Sequence, residues 1–279
     1  MIAIGKHNLL KVKKETPQGY YLIQENDELE EEVLLPNKYI PEDLKVGDEI
    51  NVFIYNDSED RIIATTLEPK LLLDSFGALE VKDVNQFGAF MDWGLEKDLM
   101  VPFKEQNKKM AVGRKYIVYA FLDEETERII ASGKINKFVE SEPEDLEEGQ
   151  EVDLLIADTT DIGVNVIINN RYKGLVYKNE LFKNVRLGDR TKGFIKQIRE
   201  DDRIDVSLEK QGYANVEPNA EKILNALKEN EGFLGLTDKS DPTDIQAELE
   251  MSKKTFKKAI GALYKQKLIE LGDEGIFLK

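Results

Sequence analysis

Cysteine is absent from these 279 residues, which removes a disulfide framework and thiolate chemistry. Histidine occurs once, as His7. One imidazole, read here in a flexible amino-terminal segment, does not build a Ser-His-Asp or Cys-His triad, nor a multi-histidine zinc site. No G-x-x-x-x-G-K-[ST] or G-x-G-x-x-G stretch occurs, so no phosphate-cradling loop is visible. No apolar run approaches the ~20 residues of a membrane helix. The start, "MIAIGKHNLLKVKK", lacks the pattern of a signal peptide. These absences predict a cytoplasmic, non-membrane protein with no cofactor, no metal and no catalysis.

Acid is plentiful. Lys+Arg number 39 against 55 Asp+Glu, a formal net charge of −16. That average opposes nucleic-acid binding, which needs cations for phosphate. The distribution is uneven, however. Residues 171–199 hold nine basic groups and two acids, and residues 253–267 hold six lysines and no acid. Local patches, not overall charge, set an electrostatic footprint.

Three phrases echo along the chain: "DRIIATT" (60–66), "ERIIASG" (127–133) and "DRIDVSL" (202–208). Their arginines, Arg61, Arg128 and Arg203, lie 67 and 75 positions apart, the size of a small domain. Each phrase follows an apolar–Gly–polar turn and an alternating stretch, such as Val52 and Ile54, or Ile117, Tyr119 and Phe121. Earlier in each unit, Gly19, Gly88 and Gly163 fall at matching places, where a bulge would let a strand curl. Five short strands per unit predict an OB barrel.

The period changes after residue 218. Residues 219–230 place Ala220, Ile223, Leu224 and Leu227 on one helical face. Residues 240–250 open with Asp241 as cap and Pro242 at the first helical position. Residues 252–268 open with Ser252 and turn Phe256, Ile260 and Leu263 inward. "LIELGDEGIFLK" reads strand, turn, strand. The expected fold is mainly β with a C-terminal α+β domain: three tandem five-stranded OB barrels (1–68, 69–140 and 145–212) and a winged helix-turn-helix (216–279). The seams are placed at 141–149 and 211–218.

"VNQFGAFMDWG", "DLMVP", "VGRKYIV" and "ETERIIAS" resemble the RNA-binding OB domain of ribosomal protein S-one. "GLVYKNEL" and "LGDRTKGFIKQIREDDRIDVSLEK" carry the likeness into the third unit; the first unit is the weaker match. Three such units before a winged helix resemble the bacterial conserved virulence factor B family. The resemblance implies an RNA-binding regulator of gene expression.

In the S-one domain, a pair of aromatics stacks on bases and an arginine of the last strand meets phosphate or base edges. The matching residues are Phe87, Phe90 and Arg128. Two readings stand for the phenylalanines: stacking on RNA, or filling the barrel core. Trp93 reads as packing. For Arg128, a surface pair with Asp123 is the other reading. The third unit has Ile162 and Asn165 where the aromatics would be. It keeps charge: Arg171, Lys173, Lys178, Lys183, Arg186, Arg190, Lys192, Lys196 and Arg199, with Arg203 just beyond. Tyr172 and Tyr177 could stack. This is the expected principal RNA face, with a solvated basic rim as the other reading. The first unit has Tyr21 but Gln18, and reads as structural or protein-facing.

On the last helix, Lys254, Lys258, Gly261 and Lys265 form a stripe opposite Phe256. It holds no Arg or Asn for base edges, and the wing "LGDEG" is acidic, so an RNA backbone clamp is expected, with protein docking or a solvated face as the other reading. The partner expected is single-stranded RNA, with messages in view, ahead of DNA. A DNA-binding regulator acting through the winged helix, and a protein-interaction scaffold, stand as alternatives.

Overall fold

A computed structural model describes residues 2–25, 31–181, 184–208 and 218–279. Lys183 and most of the seam placed at 211–218 lie outside the described residues. The chain falls into two compact units. One comprises Met1–Leu146, Val152–Lys192 and Ile198–Asp205; the other comprises Glu147–Glu151, Gly193–Gln197 and Val206–Lys279.

The first barrel contains β1 (His7–Thr16), β2 (Gly19–Ile23), β3 (Glu32–Pro36), β4 (Glu49–Asn56) and β5 (Ile62–Thr65). It closes in the order β1-β2-β3-β5-β4, with β3 parallel to β5. The second set is β6 (Ser75–Val84), β7 (Gly88–Met91), β8 (Leu99–Pro102), β9 (Lys115–Asp123) and β10 (Arg128–Ser132). Its hydrogen-bonded order is β10-β9-β6-β7-β8, and β8 comes alongside β10. The third contains β11 (Glu151–Thr159), β12 (Gly163–Ile168), β13 (Tyr172–Tyr177), β14 (Arg190–Ile198) and β15 (Ile204–Ser207). It closes as the first does.

Each barrel carries a bulge on its first strand. The ladder skips Lys13, Lys82 and Ala157 in turn. The glycines do a different job from the one expected. Gly19, Gly88 and Gly163 sit on the partner strand, opposite Pro36, Pro102 and Tyr177. A Cβ there would come within 2.1, 2.3 and 2.1 Å of the carbonyl oxygens of Leu35, Val101 and Val176. The need is for close approach between strands, while the bulge curls the strand opposite.

β4 shows why the first two barrels pack as neighbours. Val52 and Ile54 point into the first barrel's core with Leu10, Leu22 and Leu35. The alternate residues are not polar: Phe53 and Tyr55 are buried in a second cluster with Trp93, Leu71 and Leu99. Trp93 meets both rings edge-on, at centroid separations of 5.7 and 6.2 Å. Its indole N–H donates to the Leu71 carbonyl at 2.6 Å. Each aromatic so buried contributes about 2–3 kcal/mol of apolar transfer. His7 is the first residue of β1, not part of a loose segment, and its ring lies against Phe53.

A similar two-faced strand joins the next pair. Leu155 and Ala157 of β11 pack with Phe76 and Ile117 of the second barrel. The Asn170 side chain accepts from the Phe76 N–H at 2.7 Å and donates to the Asp74 carbonyl at 3.0 Å.

The second unit carries α1 (Pro218–Glu229), β16 (Phe233–Leu234), α2 (Pro242–Leu249), α3 (Lys253–Lys265), β17 (Ile269–Leu271) and β18 (Ile276–Leu278). Asp241 accepts from the Thr243 N–H at 2.9 Å, and Ser252 from the Thr255 N–H at 3.2 Å, so both expected caps form. Ile223, Leu227, Ile245, Phe256, Leu263 and Ile276 fill one core. The wing is three-stranded, in the order β16-β18-β17, with β16 added to the expected hairpin. Among the described residues, no helix is long and apolar enough to cross a membrane.

Candidate nucleic-acid interface

The three barrels can be superposed residue by residue through their ladders. Phe87 just before the glycine matches Gln18 and Ile162, and Phe90 two beyond it matches Tyr21 and Asn165. At the last hairpin, Asp57 pairs its N–H with the Arg61 carbonyl, and Arg199 does the same with Arg203, both at 2.9 Å. Asp123 faces Arg128 in the second barrel. Each barrel thus presents the same lip, built from the start of its second strand and the closing hairpin.

In the second barrel Phe87 is 62% exposed and fills no core. Its N–H is held by the Asn85 carboxamide oxygen at 2.8 Å, which sets the turn that projects the ring. Phe90 is half-buried opposite Met100. Arg128 does not pair with Asp123, which instead accepts from the Thr126 hydroxyl at 2.7 Å. Its guanidinium reaches Asp60 in the first barrel. The Lys97 ammonium joins it there, 2.7 Å from the Asp57 carbonyl and 3.3 Å from the Asp60 carboxylate.

The first barrel's lip encloses about 670 Å³, lined by Gln18, Tyr21, Tyr55 and Arg61 together with Glu96 and Lys97 of the second barrel. Its cations are engaged. Arg61 binds Asp57 at 2.7 Å and Glu59 at 2.8 Å, and the Lys14 ammonium sits 4.7 Å above the Tyr21 ring. The Asp57 carboxyl, though pushed up by burial, is held below its usual range by Arg61.

The third barrel departs most from expectation. Arg171 grips Glu140 through two hydrogen bonds of 2.8 and 2.7 Å and Asp145 through one of 2.6 Å. It ties down the seam placed at 141–149 and is not a free phosphate contact. Tyr172 is buried, its hydroxyl on Asp145, so it offers no stacking face. Alternation along β13 explains this: Tyr172, Gly174 and Val176 point inward, Lys173, Leu175 and Tyr177 outward. The basic groups also divide between places. Lys173, Tyr177, Arg199 and Arg203 line a cleft of about 590 Å³. Arg190 and Lys192 line a separate hollow with Asp153 and Asn170. There Arg190 donates to the Phe76 carbonyl at 2.8 Å, and Lys192 pairs with Asp153 at 2.8 Å. The Lys173 ammonium donates to Asn136 at 3.1 Å, and Arg203 pairs loosely with Asp201 at 3.4 Å. Lys178 and Arg186 are exposed, and Lys196 is half-buried on β14.

In the cleft two expected residues, Arg199 and Tyr177, meet an acid that was not expected, Asp205. Arg199 donates to Asp205 from Nε at 3.1 Å and Nη2 at 2.8 Å, and Nη2 also meets the Tyr177 hydroxyl. The signal lay in the echoed phrases: "DRIDVSL" has an acid where the others have isoleucine.

On α3, Lys254, Lys258, Gly261 and Lys265 are exposed and Phe256 is buried, the stripe expected. Lys257 lies 3.6 Å from Asp238, and Lys253 donates to the Ser240 carbonyl at 2.8 Å. A Cβ on Gly261 would meet nothing within 4 Å.

Comparison with known proteins matches the first two barrels and the winged helix. The S1 domain family model matches residues 4–67 and 76–132, and that of the CvfB-like winged helix domain matches residues 221–278. The Bacillus subtilis uncharacterized protein YitL is 30% identical, covering 94% of this chain and 89% of its own. The Staphylococcus aureus conserved virulence factor B is 26% identical, covering 82% of this chain and 79% of its own. A crystal structure of a Streptococcus pneumoniae multidomain protein with nucleic acid binding domains is 25% identical, covering 99% and 98% of the two chains at a TM-score of 0.46. With its S1 barrels, its CvfB-like winged helix and its likeness to YitL and conserved virulence factor B, the chain belongs to the conserved virulence factor B family.

Proposed function

We propose that the protein is a cytoplasmic RNA-binding regulator that holds single-stranded RNA without chemistry of its own. The observation that carries this reading is Phe87: a large ring, 62% exposed, projected from a fixed turn beside the half-buried Phe90. Aromatic stacking tolerates any base and contributes about 1–3 kcal/mol for each. The exposed lysines of α3 supply backbone attraction. They suit a strand held by its phosphates better than a duplex read by its base edges. The acidic wing, with Asp273 and Glu274, disfavours the close duplex approach that a major-groove reader needs.

The test is fluorescence anisotropy of the full chain with an unstructured RNA oligomer and a DNA duplex, titrated at several salt concentrations. Tighter, salt-sensitive binding of the RNA is expected, weakened by Phe87→Ala and by Lys258→Glu. Equal or stronger binding of duplex DNA would overturn the reading.

A further inference from the structure

The third cleft differs from its sisters by an exchange of charge and shape. In the first two barrels the closing hairpin starts with an acid, Asp57 or Asp123, and the last strand places Ile63 or Ile130 in the wall. In the third, the hairpin starts with Arg199 and the wall residue is Asp205, 7% exposed. The lip has changed too: Ile162 and Asn165 stand where the second barrel has Phe87 and Phe90. The two rings at these positions are gone, Tyr177 is the aromatic left in the lining, and hydrogen-bonding groups have come in.

The Asp205 carboxylate is held in one orientation. Both bonds from Arg199 fall on its Oδ2. Its Oδ1 accepts no hydrogen bond among the described residues, and Asp205 lines the cleft with Asn165, Lys173, Thr160 and Arg203. A carboxylate oxygen left without a protein donor and open to a cleft can accept an N–H from a ligand there. The flanking Asn165, Lys173 and Arg203 supply donors for an acceptor beside it.

We propose that this cleft reads one nucleobase by its edge, and that Asp205 Oδ1 selects bases with an exocyclic amino group (adenine, cytosine or guanine) over uracil. Uracil's ring N–H lies between two carbonyl oxygens, which a carboxylate repels. The amino-bearing bases offer a donor that a carboxylate accepts. A cleft of about 590 Å³ has room for one nucleotide. The proposal rests on the RNA-binding reading and adds base selectivity to it: the second barrel stacks any base, the third chooses.

The experiment is methyl NMR of the full chain. The Ile162 and Ile204 signals, both from cleft-lining residues, are followed as AMP, GMP, CMP and UMP are added in turn. The first three are expected to bind about tenfold more tightly than UMP, the size of one charge-assisted hydrogen bond. Asp205→Asn, the same shape without the charge, should bring all four within about twofold. Asn165→Ala keeps Asp205 and should keep the preference while weakening every nucleotide. Equal binding of the four by the native chain overturns the proposal. So does a preference that survives in Asp205→Asn or vanishes in Asn165→Ala. If single-stranded RNA still binds in those cases, the RNA reading stands. If neither RNA nor any nucleotide binds, both fall.

Discussion

Asp60, in the closing hairpin of the first barrel, accepts a hydrogen bond from Arg128, in the last strand of the second. The side chains are 40% and 49% exposed, so the pair contributes under ~1 kcal/mol to stability. Its larger effect is on availability. A guanidinium facing Asp60, with Lys97 beside it, is partly neutralised towards phosphate. Asp60→Asn is therefore expected to tighten RNA binding about two- to fivefold at low salt and not at all at high salt, where screening removes the difference. Arg128→Ala should move affinity the other way. Anisotropy titrations across salt check both.

Two glycines make opposite predictions. Gly88→Ala drives a methyl to 2.3 Å from the Val101 carbonyl oxygen, so the strands must part. A loss of about 3 kcal/mol or more is expected, the class of overpacked backbone contacts. Gly261→Ala meets nothing within 4 Å and gains helix propensity. A gain of about 1 kcal/mol is expected. Urea unfolding of both variants measures the contrast.

Phe87→Ala removes an exposed ring. Thermal stability should change by no more than ~0.5 kcal/mol. RNA affinity should fall by about 1–3 kcal/mol, equally for different homopolymers, because stacking does not read sequence. A base-dependent loss would assign Phe87 a different role.

Glu105 sets a pH dependence in the second barrel. Burial pushes its carboxyl up, but the Ser132 hydroxyl at 2.6 Å and the Lys137 ammonium at 3.2 Å outweigh that and hold it below its usual range. A carboxyl lowered in the folded state stabilises the fold fully above its unfolded pKa, about 4.3, and loses that contribution as pH falls through the folded value. Glu105→Gln should therefore unfold with a shallower pH dependence below about pH 5. Denaturation midpoints from pH 3 to pH 7 report the difference.

Local features were legible and long-range ones were not. The caps at Asp241 and Ser252 depend on neighbours two and three residues away, and the barrel pattern on alternation within one strand. The partners of Arg128 and Arg171 lie 68, 31 and 26 positions away, where counting charge in a window says nothing. The basic run of 171–199 read as one face because sequence does not show which cations already have acids. Tyr172 could have been placed correctly, since period two separates it from Tyr177. Phe53 and Tyr55 carried their own clue: aromatics on the strand face that should have met water marked a second buried surface.

Trp93 is the chain's one tryptophan, and it is wedged between Phe53 and Tyr55 where the first two repeats meet. Nature has thereby installed an optical gauge at that seam. Its emission reports from native, unlabelled protein whether the two repeats separate before they melt. With an indole 2% exposed and a core shared across the joint, the red shift should coincide with loss of β-sheet circular dichroism. Three repeats in the sequence would then be fewer than three folding units in solution.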